Sequence, residues 1–309
     1  MTRFCFLLVL LALVVPASAD ELKLEAVLPQ KDGLVKCVAF SPDGNTLVAA
    51  SENSISVWTT RTWKMRESLR YGTTSLAFAG EGAILAYGSG FQVGVFDLSS
   101  ENDVFTAAGG QINSVALAPN GTVLAAGGVE GVHLWEARSG KKLNGPGWFN
   151  TEVNALAFSG DGKFLAIGDV FGRLAVWDVS AGKQLAPFAG HRNFITSVAY
   201  SGDSATIVSG GGDDTIRMWE AKTRRERLQI PVDSPFGFFH IALNRDGTKV
   251  AAVGDDGIVK FWDARDGKKV ASLSQHERGF SIAFSPDGKL VAVGLRTKVN
   301  VWKLVNGRR

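Results

Sequence analysis

The stretch Val38-Ala39-Phe40-Ser41-Pro42-Asp43-Gly44, followed by Ile55-Ser56-Val57-Trp58, decides the fold. Ser41 to Gly44 has the chemistry of a tight hairpin. Pro presets φ at the second turn position, Asp suits the next, and Gly takes the left-handed conformation. The apolar residues before it, and the alternating run that ends in Trp58, read as strands. A single turn of this kind is weak evidence, but this one recurs. Leu156-Ala157-Phe158-Ser159-Gly160-Asp161-Gly162 and Ile282-Ala283-Phe284-Ser285-Pro286-Asp287-Gly288 repeat it closely. Ala118-Pro119-Asn120-Gly121 and Asn244-Arg245-Asp246-Gly247 are variants.

Working outward, the chain aligns on seven anchors: Trp58, Phe96, Trp135, Trp177, Trp219, Trp262 and Trp302. Their spacings are 38, 39, 42, 42, 43 and 40 residues. A fixed period in this range is the signature of a repeat architecture. Each anchor ends an alternating run such as Leu174-Ala175-Val176-Trp177 or Ile216-Arg217-Met218-Trp219, and five of the seven are followed by Asp or Glu. A further turn follows the anchor, as in Asp178-Val179-Ser180-Ala181-Gly182-Lys183 and Asp263-Ala264-Arg265-Asp266-Gly267-Lys268.

Together these columns resemble the WD-repeat family, and the resemblance covers residues 21 to 305. It implies an all-β fold, a seven-bladed β-propeller of four-stranded antiparallel blades, in which each repeat supplies the outer strand of one blade and three inner strands of the next. Radial repetition of this kind protects sheet edges. The chain stops after the third strand of blade 7, so residues 21–28, with Leu22, Leu24, Ala26 and Leu28 expected on one face, are expected to close the ring as an N-terminal strand that completes the last blade. The charged outer strands, residues 64–70 and 224–227, read as edge protection. A small-residue column on the innermost strands (Ala39, Ala77, Ala116, Ala157, Ala199, Ala242, Ala283) fits blades packed close together.

The resemblance also implies a hydrogen-bonded set of His, Ser or Thr, Asp and Trp within a blade. Repeat 5 matches all four with His191, Ser209, Asp213 and Trp219. Repeat 6 keeps Asp256 and Trp262 without the His, repeat 7 has Arg296 in place of the Asp, and repeats 1 to 4 lack both residues. Most blades are therefore expected to rest on apolar packing alone. A Ser-His-Asp triad uses the same residue types as this set, but the family match accounts for every member structurally.

Residues 1–19 read as a secretory signal. Arg3 is the positive flank, Phe4 to Val15 a twelve-residue apolar run, and Ala17-Ser18-Ala19 a small-residue cleavage site. The run is shorter than the roughly 20 residues that span a bilayer. A mature domain of residues 20–309 is expected to act outside the cytoplasm, periplasmic or secreted, without membrane insertion and as a monomer. An exported single-domain WD-repeat protein fits a bacterial setting by resemblance. Cys5 leaves with the signal, so Cys37 pairs with no other cysteine. Cys37 aligns with Ser75, Ser114, Ala155, Ser197 and Ser281 and is expected to be buried and unreactive. Without Arg3, 32 basic residues face 30 acidic ones, a balance that does not favour nucleic acid.

Chemistry is scarce. No HExxH or phosphate-binding glycine loop occurs, and the four His residues are scattered over repeats 3, 5, 6 and 7. Gly279-Phe280-Ser281-Ile282-Ala283 lacks the strand-turn-helix context of a nucleophile elbow. No cofactor or metal is implied. The function read from the sequence is a non-catalytic platform for another protein or peptide. A lactonase or quinoprotein-dehydrogenase type propeller enzyme, with its site in the central channel, is the alternative. The binding residues expected at the channel mouth are Lys36, Thr74, Asn113, Asn154, Thr196, Phe239 and Phe280. Phe171, Phe194, Phe236, Phe238, Trp148 and Phe149 join them from neighbouring loops. Aromatics concentrate in the later repeats, which places the docking face over blades 4 to 7.

Overall fold

The computed structural model describes residues 21–30, 33–69, 72–80, 83–146, 151–233 and 239–305. Residues 1–19, read above as a signal, lie outside them. Seven four-stranded antiparallel sheets form, each from an innermost strand outward, and no helix occurs among the described residues. The innermost strand of each blade touches that of the next, and the last, Ser281–Phe284, touches the first, Cys37–Phe40. The ring is closed.

Closure uses the two ends of the chain. Glu21–Pro29 pairs antiparallel with Lys298–Val305, from Glu21↔Val305 to Pro29↔Lys298. The register slips between Leu24 and Ala26, and that bulge at Glu25 changes the expected single apolar face. A one-residue slip sends the residues after it to the opposite face of the sheet. Leu22 therefore packs into the seam between blades 6 and 7, while Ala26 and Leu28 pack into the seam between blades 7 and 1. Leu24 is left 43% exposed. The outer strands of blades 1, 2, 5 and 6 bulge at the same level, opposite Trp58, Phe96, Trp219 and Trp262. The N-terminal strand thus has the shape of the outer strand that blade 7 lacks.

The core is a set of seven seams. Each hydrophobic cluster joins two adjacent blades, such as Val208, Met218, Ile230, Val250 and Trp262 between blades 5 and 6. Buried apolar area of this kind stabilises by about 25 cal/mol per Å², so the apolar stabilisation lies largely between blades. The small column serves these seams: Ala116 and Ala242 are buried, and Ala39, Ala77, Ala157, Ala199 and Ala283 pack against the clusters.

Antiparallel order fixes two faces of the disc. Turns between the first and second strands, and between the third and outer strands, lie on the lower face. The remaining connections lie on the upper face. The Ser-x-Asp-Gly turns are locked from within. The Ser41 hydroxyl donates to Asp43 Oδ1 at 2.5 Å and accepts from Thr46 N at 2.9 Å. Residues 159–164, 201–206 and 285–290 repeat the pattern. Gly44, Gly162 and Gly288 adopt φ near +70°, as the turn requires.

Candidate functional site

The polar set of blade 5 is assembled by two strands, a loop and a turn. His191 precedes the innermost strand, Ser209 lies in the second (Thr206–Gly211), and Trp219 in the third (Thr215–Glu220). Asp213 sits in the turn between the last two. Trp219 Nε1 donates to Ser209 Oγ at 2.9 Å, Ser209 Oγ lies 2.7 Å from His191 Nε2, and His191 Nδ1 lies 2.9 Å from Asp213 Oδ1. A single set of protons satisfies the chain: Trp N–H to Ser, Ser O–H to Nε2, and Nδ1–H to the carboxylate. Burial lowers the His191 pKa and Asp213 offsets this in part, so the ring is neutral. Burial also acts to raise Asp213, but hydrogen bonds from Arg192 N, His191 and Thr215 outweigh it and hold the carboxyl at about 2. Ser209 is fully buried and its oxygen is occupied by the indole. A hydrolytic nucleophile needs access to substrate, so this arrangement works as a structural strut.

Other blades carry polar struts that the sequence did not reveal, which corrects the expectation of apolar packing alone. In blade 1 the buried Gln30, just after the closing strand, donates to Ser51 at 3.1 Å and to Ser54 at 3.2 Å and accepts from Ser56 at 2.6 Å. In blade 4 the buried Asp169 accepts from the N–H groups of Phe171 and Arg173 and pairs with Arg173 Nε at 2.6 Å. Asp256 of blade 6 pairs with Lys260 at 2.7 Å. In blade 7 Asn300 donates to Gln275 at 2.9 Å. Where Ile167 and Val293 stand in the Ser209 column, Trp177 Nε1 and Trp302 Nε1 have no acceptor.

The central channel holds a cavity of about 180 Å³. Lys36, Thr74, Asn113, Asn154 and Thr196 line it as expected from the sequence. Much of their polarity is already used. Thr74 donates to Ile112 O at 3.0 Å, Asn113 to Val153 O at 3.3 Å, and Asn154 to Ile195 O at 3.2 Å, each reaching the next blade. Thr196 donates to Gly210 O, and Lys36 pairs with Glu52 at 3.3 Å. A second belt lies one residue further along. Ser75 accepts from Val115 N, Ser114 accepts from Leu156 N, Ser197 donates to Ile241 O, and Ser281 donates to Val35 O. Cys37 completes this belt with Sγ 3.9 Å from Leu76 O. Its residue is half-buried, not fully buried as expected, yet desolvation pushes the thiol up to about 11. Blade 6 places His240 in this column, and burial together with the Arg278 charge pushes it down to about 4. Among the described residues no three His, Cys, Asp or Glu side chains cluster as a metal site.

The aromatic residues divide. Trp148, Phe149, Phe236 and Phe238 lie outside the described residues, and of Phe239 only the strand position is described. Phe194 is half-buried in contact range of Gly212, and Phe280 is half-buried with the Arg278 guanidinium 5.1 Å from its ring. Phe171 is 68% exposed at a hairpin tip of blade 4. Blade 2 carries Phe91, 70% exposed, at the equivalent tip, and blade 3 carries Val129, 48% exposed. The expected docking face over blades 4 to 7 took in Phe171 but not Phe91 and Val129, which extend the exposed apolar tips over blades 2 and 3. Turn tips favour Gly, Asn and Asp, and blades 5 and 6 have Asp213-Asp214 and Asp255-Asp256 there. Phe91 and Phe171 in that position were a legible signal.

A closed ring of seven four-stranded blades, with a buried His-Ser-Asp-Trp set and a polar channel, defines a β-propeller built from sequence repeats. The model of the family WD40, the WD domain, G-beta repeat, matches residues 22–59, 182–220, 236–263 and 267–303. The chain belongs to the WD-repeat family. Among similar proteins, guanine nucleotide-exchange factor SEC12 of Rattus norvegicus is 39% identical over 64 residues, 20% of this chain and 15% of that one. Small ribosomal subunit protein RACK1z of Arabidopsis thaliana is 31% identical over 64 residues, 21% of this chain and 20% of that one. Telomerase protein component 1 of Mus musculus is 24% identical over 284 residues, 87% of this chain and 11% of that one. The matches span a fifth or less of the length of these relatives.

Proposed function

We propose that this protein is a non-catalytic platform that acts outside the cytoplasm and docks a partner protein on its upper face, over the channel mouth and the hairpin tips beside it. One observation carries the reading: Phe91, Val129 and Phe171 are exposed at equivalent tips of three consecutive blades. The tips are anchored by backbone bonds, Ile112 N to Gly90 O at 2.9 Å and Val129 N to Gln111 O at 3.2 Å, and Asp169 holds Phe171 N at 2.9 Å. Rigid exposed aromatics make interface anchors because little conformational entropy is lost when they are covered. The relatives named as an exchange factor and a ribosomal subunit protein agree with a regulatory or assembly role. Export is inferred from residues 1–19. Against the alternative, a channel enzyme, stands the Cys37 thiol, which burial holds neutral with its pKa pushed up to about 11.

The test is affinity capture from the extracytoplasmic compartment with the wild type and with Phe91→Ser/Phe171→Ser. Loss of a specific partner with an unchanged melting temperature supports the reading. Equal capture by both proteins removes these tips from the interface.

A further inference from the structure

A different part of the molecule, independent of the upper-face reading, collects charge without neutralising it. On the lower face, the turn between the third and outer strands of blade 5 carries Lys222, Arg224 and Arg225. The first turn of blade 6 carries Arg245, and Lys269 opens the outer strand of that blade. These turns are contiguous. Gly202 N of blade 5 donates to Arg245 O at 2.7 Å, Ala221 N donates to Ala205 O at 2.9 Å, and Arg227 reaches Ala264 O of blade 6 at 2.8 Å.

The carboxylates nearby are all engaged. The Ser201 hydroxyl and Ala205 N hold Asp203, the Thr223 hydroxyl holds Glu220, Arg217 holds Glu226, and Thr248 N holds Asp246. Asp263 and Asp266 pair with Arg265 and Lys268. Among the described residues, Lys222, Arg224, Arg225, Arg245 and Lys269 have no carboxylate in ion-pair range. On the upper face, by contrast, Lys36, Arg173, Lys260, Arg278 and Lys298 are ion-paired, while among the described residues Arg192 and Arg296 are not.

Backbone conformation supplies a second observation. The residue five places after each anchor adopts positive φ in six blades: Trp63, Glu101, Gly140, Gly182, Arg224 and Gly267. Glycine is the natural occupant. Trp63 is compensated by packing into the seam of blades 7 and 1. Arg224, at φ +62°, keeps a charged side chain in a disfavoured conformation with no such packing in its core clusters. Fold stability does not select arginine there.

We propose that this lower-face patch of blades 5 and 6 is a second docking surface, for an acidic polypeptide segment. The patch offers charge alone. Among the described residues, the exposed large hydrophobics are Leu24, Val27, Met65, Phe91, Val104, Val129, Phe171 and Val305, none of them on blades 5 or 6. Single-stranded nucleic acid binding relies on aromatic stacking platforms, and stable bilayer contact needs apolar insertion beside the basic residues. A short run of Asp and Glu side chains needs neither.

Fluorescence anisotropy of a labelled decaglutamate peptide with the full chain tests this, with decaglutamine as the neutral control. Lys222→Ser/Arg224→Gly/Arg225→Ser should weaken decaglutamate binding by roughly tenfold, since exposed ion pairs each contribute modestly. Arg138→Ser/Lys141→Ser/Lys142→Ser, in the equivalent turn of blade 3, should leave it unchanged. Arg224→Gly alone should hold or raise the melting temperature while weakening the peptide. Equal losses in both triple variants, or no loss in the first, overturn the proposal. Tighter patch-dependent binding of an oligonucleotide or of phosphatidylserine vesicles than of decaglutamate overturns the choice of partner.

Discussion

Replacing Asp213 with Ala isolates the blade 5 strut. The substitution removes the acceptor of His191 Nδ1–H at 2.9 Å and of the Thr215 hydroxyl at 2.7 Å, together with that of Arg192 N at 3.0 Å. The Arg192 amide is near solvent and regains water. The His191 ring is fully buried and does not. A buried donor left without a partner costs about 1–3 kcal/mol, and the Thr215 hydroxyl adds part of a second such loss. Arg217 keeps Glu226 at 2.6 Å and so is not stranded. The expected total is about 2–4 kcal/mol. Urea unfolding followed by tryptophan fluorescence measures it, with the m-value unchanged. Asp214→Ala is a poor control, because Asp214 sits at φ +58° and Ala there adds about 1 kcal/mol of backbone strain. Asp214→Asn tolerates that conformation and should be nearly silent. The folded Asp213 carboxyl, at about 2, titrates below its usual 3.8. Its stabilisation is therefore complete above about pH 4 and is lost as pH falls toward 2, so the gap between wild type and variant should close over that window. A loss under about 0.5 kcal/mol at pH 7, or one matched by Asp214→Asn, refutes the strut.

Deleting residues 20–29 removes the outer strand of blade 7 and its apolar contributions to two seams, so calorimetry should show aggregation or a melting temperature lower by about 10 °C or more; melting within a degree or two of the parent contradicts closure by this strand. Ser204 occupies φ +62° where Gly44, Gly162, Gly247 and Gly288 stand in other repeats, and Ser204→Gly should gain about 0.5–1 kcal/mol, or a Tm rise of about 1–2 °C. Cys37, with its thiol pushed up to about 11, should react with a disulfide reagent at pH 8 roughly a hundredfold more slowly than in the unfolded chain; comparable rates would place it in solvent. His240, pushed down to about 4, makes the unfolded chain take up protons first, so stability should fall between pH 6.5 and 4; His240→Ser should flatten that decline, and an unaltered profile refutes it.

The sequence by itself determined the repeat. Seven anchors at near-constant spacing, each preceded by an alternating run and a Ser-x-Asp-Gly type turn, fix strand number, turn placement and the polar set of blade 5, because period and turn chemistry are local properties. It also located Lys36, Thr74, Asn113, Asn154 and Thr196 on the channel, since one position per repeat maps to one layer of the ring. Only the tertiary structure decided what those residues do. Asn113 and Asn154 look free as sequence but reach carbonyls of the next blade, about forty residues away. Gln30, Gln275 and Asn300 carry no motif, yet each is buried and bonded where strands of distant sequence meet. The bulge at Glu25 hides in an alternating run because its cause is the partner strand, which lies at the other end of the chain. Arg224 likewise reads as one more basic residue until the backbone shows it standing where glycine belongs. Local pattern specifies the blades, and contacts between residues far apart in sequence specify how the blades are joined and which surfaces are left free.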